Sequence, residues 1–182
     1  MTKGIIAIEA WEAFDREPRP RMKNLLDFIT IVNDTKYTYN FVYTPDELKY
    51  ILQEVPTKDS SLLYLALHGE PSKIKVGSKK EYGIKINSLA QWMGKRFKGY
   101  GVHFASCATL NGWMDSLRKF KKQTGVTFVS GYSKYVYFST SSVADHILLS
   151  EWMYSTYYRP MYNRIMKRHK IFMKENGFEF LM

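Results

Sequence analysis

The chain has 182 residues, 45% hydrophobic and 16% aromatic, which supports one continuous core and argues against disorder. Its formal charge is +10, and its single cysteine excludes an intramolecular disulfide and a four-cysteine zinc site. We find no signal-peptide pattern and no stretch near the ~18 apolar residues that span a bilayer. We therefore expect a single cytoplasmic domain, residues 1–182, with no membrane partner, metal or cofactor.

The first quarter of the chain alternates strand and helix patterns. Gly4–Ile8 is typical of a buried strand, and Arg19–Ile31 places apolar residues near helical spacing. Lys36–Tyr43 is rich in strand-forming residues. Thr44 then has the features of a helix cap, because a proline and two acidic residues follow it.

The rest of the chain continues this alternation. Unbroken apolar runs predict strands covered on both faces at Leu62–Leu67, Gly101–Ala105 and Val126–Ser130. Helical spacing predicts helices at Ser88–Phe97, Leu110–Thr124, Ser139–Tyr154 and Pro160–Asn176. Segment 72–86 has two short strand-prone arms around a glycine and indicates a hairpin. The pattern predicts an α/β fold of three layers, with a mostly parallel sheet and a hairpin after the histidine-bearing strand.

The last predicted helix, at about 160–176, is basic. Six Lys or Arg lie between Arg159 and Lys174, interleaved with apolar residues. We interpret them as a solvated face on a packed helix, so a nucleic-acid partner is not expected. The alternative is a docking site for a nucleic acid or a nucleotide.

Two reactive side chains directly follow predicted central strands. His68 and Gly69 come after one apolar run, and Cys107 comes after the next. If these strands are neighbours, their carboxyl ends lie roughly 5 Å apart, and a thiol and an imidazole can meet there. This pair is the minimum for nucleophilic acyl transfer, so His68 and Cys107 are the predicted catalytic residues.

An acyl transfer also needs donors for the oxyanion. The backbone N–H groups of Gly69 and Cys107 are our candidates, because glycine lets a substrate approach the main chain closely. The predicted helix near Thr109 or Leu110 would favour a thiolate at Cys107 through its dipole. His103, inside its strand, is expected to be a hydrogen-bonded core histidine.

The segments LYLALHG and VHFASCATL resemble the caspase and haemoglobinase clan of cysteine peptidases, with 39 positions between His68 and Cys107. The caspase signature Gln-Ala-Cys-x-Gly is absent. A further resemblance is to the bacterial branch with CHAT peptidases and small stand-alone caspase-like proteins. It includes IEAWEAFDREPRPRMKNLLDF, TPDELKYIL and VSGYSKYVYFSTSSVADHILLSEWM.

The resemblance implies an endopeptidase in which His68 and Cys107 form the catalytic dyad and protein or peptide chains are the substrates. It also implies that the block Gly131–Phe138 lines the substrate pocket. In some relatives a signalling nucleotide or an activating protein releases proteolysis in antiviral defence. We count both among the candidate partners, together with a second copy in a homodimer.

The residue before the cut is set by charge in the pocket. A basic residue needs a carboxylate there, and we prefer this alternative. The nearest acids are Glu9, Asp15 and Asp145, whereas Lys134 would suit an acidic residue. The predicted pocket also includes Ser106, Gly131 and Tyr132.

Two other functions stay open at the level of sequence. One is a catalytically silent caspase-like module that senses a nucleotide or serves as a scaffold, working through the basic helix and segment 72–86. The other is a nucleotide-processing enzyme, but the glycine-rich phosphate-binding motifs are absent. The motifs of zinc peptidases and serine hydrolases are absent too.

Overall fold

The computed structural model describes residues 3–10, 21–71, 73–77, 83–111 and 114–182. The helices in these ranges are α1 (Arg21–Asn33), α2 (Pro45–Glu54), α3 (Ile86–Met93), α4 (Met114–Thr124), α5 (Phe138–Met153) and α6 (Tyr158–Glu175). The strands are β1 (Ile5–Ala10), β2 (Tyr37–Val42), β3 (Leu62–Ala66), β4 (His68–Glu70), β5 (Lys73–Lys75), β6 (Gly83–Lys85), β7 (Gly101–Phe104), β8 (Phe128–Tyr132) and β9 (Phe178–Leu181).

Six of these strands form the central sheet, in the order β2-β1-β3-β7-β8-β9. All neighbouring pairs are parallel except β8 and β9, which are antiparallel. The predicted α/β fold with a mostly parallel sheet is confirmed. The C-terminal edge strand β9 was not predicted, because its four residues follow a long helix without a separate strand pattern.

Helices cover both faces of the sheet, as the apolar runs predicted. In β1, Ile6 and Ile8 belong to the core cluster that contains residues of α2, α3 and α4. Ile5 and Ala7 belong to the cluster that contains residues of α1, α5 and α6. Alternation along one strand therefore supplies both cores, and the three-layer prediction is confirmed.

The cap predicted at Thr44 is present. The Thr44 side chain accepts a hydrogen bond from the backbone N–H of Glu47, and the Glu47 carboxylate accepts one from the backbone N–H of Thr44. This capping box fixes the start of α2 directly after β2.

The predicted hairpin is part of a small antiparallel sheet of three strands, β4-β5-β6. His68 pairs with Lys75 and Glu70 with Lys73. His68 therefore opens a strand of its own instead of ending β3. Residues 72 and 78–82 of the predicted hairpin segment lie outside the described residues.

None of the described helices is both long enough and apolar enough to cross a bilayer.

Candidate active site

His68 and Cys107 leave the sheet at matched positions. β3 and β7 are adjacent and parallel, and Leu65 lies opposite Phe104. His68 comes three residues after Leu65, and Cys107 comes three residues after Phe104. Because both strands run in the same direction, the two side chains emerge at the same edge of the sheet.

Gly69 brings the histidine strand against the cysteine loop. A Cβ placed on Gly69 would lie 2.0 Å from the carbonyl oxygen of Cys107 and 2.2 Å from Thr109 Oγ1. Since no side chain can occupy this space, glycine is required here for the two backbones to meet.

A cavity of about 300 Å³ opens at this edge. Its lining includes both predicted catalytic residues, His68 and Cys107. It also includes Glu9 and Asp145, the two predicted pocket acids that lie within the described residues. The volume suits one amino-acid side chain together with part of the backbone that carries it.

The thiol of Cys107 is partly exposed and donates a hydrogen bond to the carbonyl oxygen of Val136, at 3.3 Å. The next residue, Ala108, has a φ of +50° and donates its backbone N–H to the carbonyl of Lys134. The segment after β8 thus holds the cysteine loop through main-chain contacts.

The prediction that a helix starts directly after Cys107 is wrong. α4 begins at Met114, seven positions later, and Thr109 and Leu110 lie in turns. The hydroxyl of Thr109 donates to the carbonyl of Cys107, and the N–H of Leu110 donates to the carbonyl of Tyr132. These bonds replace a first helical turn, so a helix dipole does not stabilise a Cys107 thiolate.

The imidazole of His68 is held in its neutral form. Burial, and then the nearby ammonium of Lys75, together lower the pKa of His68 to about 4. Lys75 itself pairs with Glu70 on the same small sheet. At neutral pH the imidazole of His68 therefore accepts a proton and carries no charge of its own.

Glu9 lies near the end of β1, and three donors among the described residues hold its carboxylate. Its carboxylate accepts the backbone N–H groups of Arg21 (2.8 Å) and Met22 (3.1 Å), at the start of α1, and the hydroxyl of Tyr39 (2.6 Å). Burial, and then the carboxylate of Glu9, raise the pKa of Tyr39, which keeps this hydroxyl a donor. All three partners are neutral, so the negative charge at Glu9 is not cancelled by them.

Asp145 on α5 is the centre of a buried network. It accepts hydrogen bonds from the hydroxyls of Tyr64 (2.7 Å) and Tyr132, and its Oδ1 lies 2.8 Å from His103 Nε2. The other ring nitrogen of His103 lies 2.9 Å from Ser130 Oγ. Burial, and then the charge of Asp145, raise the pKa of both tyrosines. His103 is the hydrogen-bonded core histidine that was predicted.

Of the remaining predicted pocket residues, some line the cavity and others do not. Ser106 lines the cavity, is 3% exposed, and its hydroxyl has no hydrogen-bond partner among the described residues. Gly131 and Tyr132 are not among the described lining residues: the Cα of Gly131 packs against Phe104, and Tyr132 supports Asp145 from within the core. Asp15 lies outside the described residues.

Later residues of the expected pocket block, Val136, Tyr137 and Phe138, do line the cavity. The side chain of Lys134 is exposed. Arg21 also lines the cavity and lies over the Phe138 ring, 5.9 Å from its centroid. Within the described ranges, no three His, Cys, Asp or Glu side chains are grouped so as to hold a metal ion.

The sequence matches the profile of a family of unknown function, DUF6642, over residues 3–180. The chain belongs to the DUF6642 family. No curated protein matches this DUF6642 member.

Solved structures with a similar fold are caspases. The caspase-1 structure from Spodoptera frugiperda has a TM-score of 0.56 and 13% identity, covering 91% of this chain and 75% of that one. A pro-Sf-caspase-1 structure has a TM-score of 0.59 and 10% identity, and drICE has 0.58 and 9%. The matches with these two structures each cover 100% of this chain and 87% of the caspase chain. The fold is therefore caspase-like.

Proposed function

We propose that this chain is a cysteine endopeptidase in which Cys107 is the nucleophile and His68 carries the proton. The observation that carries the proposal is the placement of both side chains on one cavity, at matched positions after two adjacent parallel strands. The caspase-like fold supports a peptidase, and the close packing of Gly69 on Cys107 keeps the two segments together.

The neutral charge of His68 suggests the order of proton transfers, because a neutral imidazole can accept the proton of the Cys107 thiol. As sulfur attacks the peptide carbonyl, the imidazole takes the thiol proton and then passes it to the leaving amine, whose C–N bond breaks. Water then attacks the thioester, releases the new carboxylic acid and returns a proton to sulfur. The histidine thus acts in turn as base and acid.

The oxyanion formed during attack needs backbone donors. The N–H of Cys107 donates no hydrogen bond within the described residues and adjoins the reacting sulfur. Together with the N–H of Gly69 it forms the proposed oxyanion hole. Before attack, the Cys107 thiol must leave the carbonyl of Val136, so contacts that shift the segment after β8 would promote activity.

A basic residue before the scissile bond fits the cavity best. Glu9 and Asp145 both line it, and the donors to Glu9 among the described residues are two backbone N–H groups and the Tyr39 hydroxyl, which are neutral. An ammonium or guanidinium of the substrate would therefore be attracted to the carboxylate of Glu9. The unpartnered hydroxyl of Ser106 adds an acceptor for the same group. Arg21 lines the cavity too, but its side chain is exposed at the surface, where its charge is screened.

From the resemblance alone, we also propose a role in the cell. A nucleotide or an activating protein would release proteolysis, and the protein would act as an effector of antiviral defence.

A covalent probe tests the peptidase proposal. A peptidyl acyloxymethyl ketone with lysine at the position next to the warhead should add once to the protein, at Cys107, as measured by intact mass and peptide mapping. The His68→Ala variant should react at least about 100-fold more slowly. Both proteins should react with iodoacetamide at similar rates, because this small reagent reports the exposure and ionisation of the thiol and needs no bound peptide. If the ketone labels both proteins at the same rate, or reacts no faster than iodoacetamide predicts, the proposal is wrong.

A further inference from the structure

A second and larger cavity, about 590 Å³, lies at the opposite edge of the sheet. Its lining includes Ser61, Gly101 and Thr127, which stand at the starts of β3, β7 and β8. Cys107 follows the carboxyl end of β7, so the body of the sheet separates the two cavities. The volume is within the range of small-ligand pockets.

Aromatic rings form the walls of this cavity. On the inner side Phe128 is 2% exposed and Trp152 is 7% exposed, whereas Tyr157 on the outer side is 70% exposed. The Phe128 ring stacks on Phe180, with centroids 4.8 Å apart, and is tilted against Tyr158 at 6.2 Å. Because Phe128 is already covered by Phe180 and Tyr158, the exposed rings of Tyr157 and Tyr158 are the surfaces on which a planar ligand ring can pack.

The lining of this cavity includes an ammonium group with one N–H left to donate. The ammonium of Lys3 donates hydrogen bonds to the carbonyls of Trp152 (2.9 Å) and Met153, at the end of α5. An ammonium has three N–H groups, so one remains for a ligand. The lining residues that the structure describes include no Asp or Glu.

The charges behind Lys3 do not neutralise it. Arg164 and Arg168 both pair with the single carboxylate of Glu151. Burial, and then the charge of Arg164, lower the pKa of Lys3, as expected for a cation without an anionic partner. The start of α6, whose cap residue Tyr157 makes no side-chain cap bond, adds positive potential to the same wall. An anion bound here would relieve this surplus.

We propose that this cavity binds a small ligand with a planar aromatic or heteroaromatic ring and one anionic group. The ring packs on the exposed faces of Tyr157 and Tyr158, which line the cavity, and the anion accepts the spare N–H of Lys3. A purine mononucleotide and an aromatic carboxylate share this chemistry. The site is independent of Cys107 and would stand if the proposed peptidase activity were absent.

Binding to the full chain is measured by isothermal titration calorimetry with four probes. AMP carries a ring and a phosphate, indole-3-acetate carries a ring and a carboxylate, adenosine lacks the anion, and ribose 5-phosphate lacks the ring. The expected result is that AMP or indole-3-acetate binds at least about tenfold more tightly than adenosine and ribose 5-phosphate, as a charged hydrogen bond implies. Which of the two binds identifies the type of anion.

Three variants locate the binding. Lys3→Gln removes the cation and Tyr158→Ala removes one ring wall, and each should raise the Kd of the bound probe at least about tenfold. Tyr154→Ala removes an exposed ring directly after α5 that is not among the lining residues, and should leave the Kd unchanged. The proposal is overturned if neither AMP nor indole-3-acetate binds, if adenosine or ribose 5-phosphate binds equally well, or if Lys3→Gln and Tyr158→Ala leave the Kd as it is. Because Tyr158 is partly exposed, its variant keeps the test decisive if Lys3→Gln fails to fold.

Discussion

The Cα of Gly69 lies so close to Cys107 that a Cβ on it would stand 2.0 Å from the Cys107 carbonyl oxygen. No real Cβ tolerates that distance, so any side chain at position 69 must push the cysteine loop away from the histidine strand.

Substituting Gly69 by alanine should therefore disrupt the site. We expect Gly69→Ala to lower the rate of Cys107 labelling by the peptidyl ketone at least about tenfold and to destabilise the fold by about 1–3 kcal/mol. Gly83→Ala is the matched control, because its Cβ would meet only the flexible side chain of Lys73, at 3.1 Å. Equal labelling of Gly69→Ala and the wild type would show that the two segments are not held as described.

The pH dependence of the reaction should reflect the lowered pKa of His68. Protonated imidazole cannot accept the thiol proton, so kcat/KM should fall as the pH drops through about 4, instead of near the ordinary histidine value. Lys75 lowers this pKa, so Lys75→Gln should move the acidic limb to higher pH. Lys73→Gln, an exposed lysine on the same strand, is the control and should leave the limb in place. If the acidic limb of Lys75→Gln lies at the same pH as that of the wild type, the assignment of His68 is contradicted.

The same shift affects stability, with a defined sign. Because the pKa of His68 is lower in the folded state, the unfolded chain binds a proton first as the pH falls. The free energy of unfolding should therefore decrease as the pH falls from the ordinary histidine pKa to about 4. Urea unfolding of wild type and His68→Gln at pH 7 and pH 5 measures this. The variant should lose less stability over that interval, and an equal loss would contradict a lowered pKa.

The preference for a basic residue should depend on the buried carboxylates. Glu9→Gln should lower the ratio of kcat/KM for a lysine substrate to that for its norleucine analogue by about tenfold, because the charge near the substrate ammonium is removed. A ratio is used because a loss of folded protein cancels from it. Glu54→Gln, at the exposed end of α2, should leave the ratio unchanged. Faster cleavage after aspartate or glutamate would reverse the proposed preference.

Two guanidinium groups depend on one partly buried carboxylate. Glu151 is 11% exposed and pairs with both Arg164 and Arg168, so Glu151→Gln should destabilise the fold by about 1–3 kcal/mol. The exposed pair of Asp115 and Arg118 provides the control, since Asp115→Asn should change stability by less than about 0.5 kcal/mol. Urea unfolding of both variants gives the comparison. Equal effects would show that burial does not strengthen the Glu151 pairs.

The central strands and most helices could be predicted because their signals are local. The run before His68 became β3 and the run before Cys107 became β7, each within two residues of its predicted end. The capping box at Thr44 follows from adjacent residues. The apolar runs also implied that both faces of the sheet are covered, as the two core clusters show.

The parts that escaped prediction depend on contacts between distant residues. The bond between His103 and Asp145 joins positions 42 residues apart, and neither neighbourhood signals the other. The helix predicted after Cys107 began too early in the sequence. Main-chain bonds to the segment after β8 hold Ala108 in a left-handed conformation, which is not helical. The described lining of the cavity beside Lys3 comes from five separate stretches of the chain, so no sequence pattern could show it.

Cleavage of peptide bonds by Cys107 and His68 is tested most directly with a whole proteome. The wild type, Cys107→Ala and His68→Ala are each incubated with it, with and without candidate nucleotides, and the new amino termini are mapped by mass spectrometry. We expect new termini that follow lysine or arginine with the wild type, none with Cys107→Ala, and at least an about 100-fold reduction with His68→Ala. The same set of termini with Cys107→Ala, or none with the wild type under either condition, would contradict the assignment of Cys107 as the nucleophile of a peptidase.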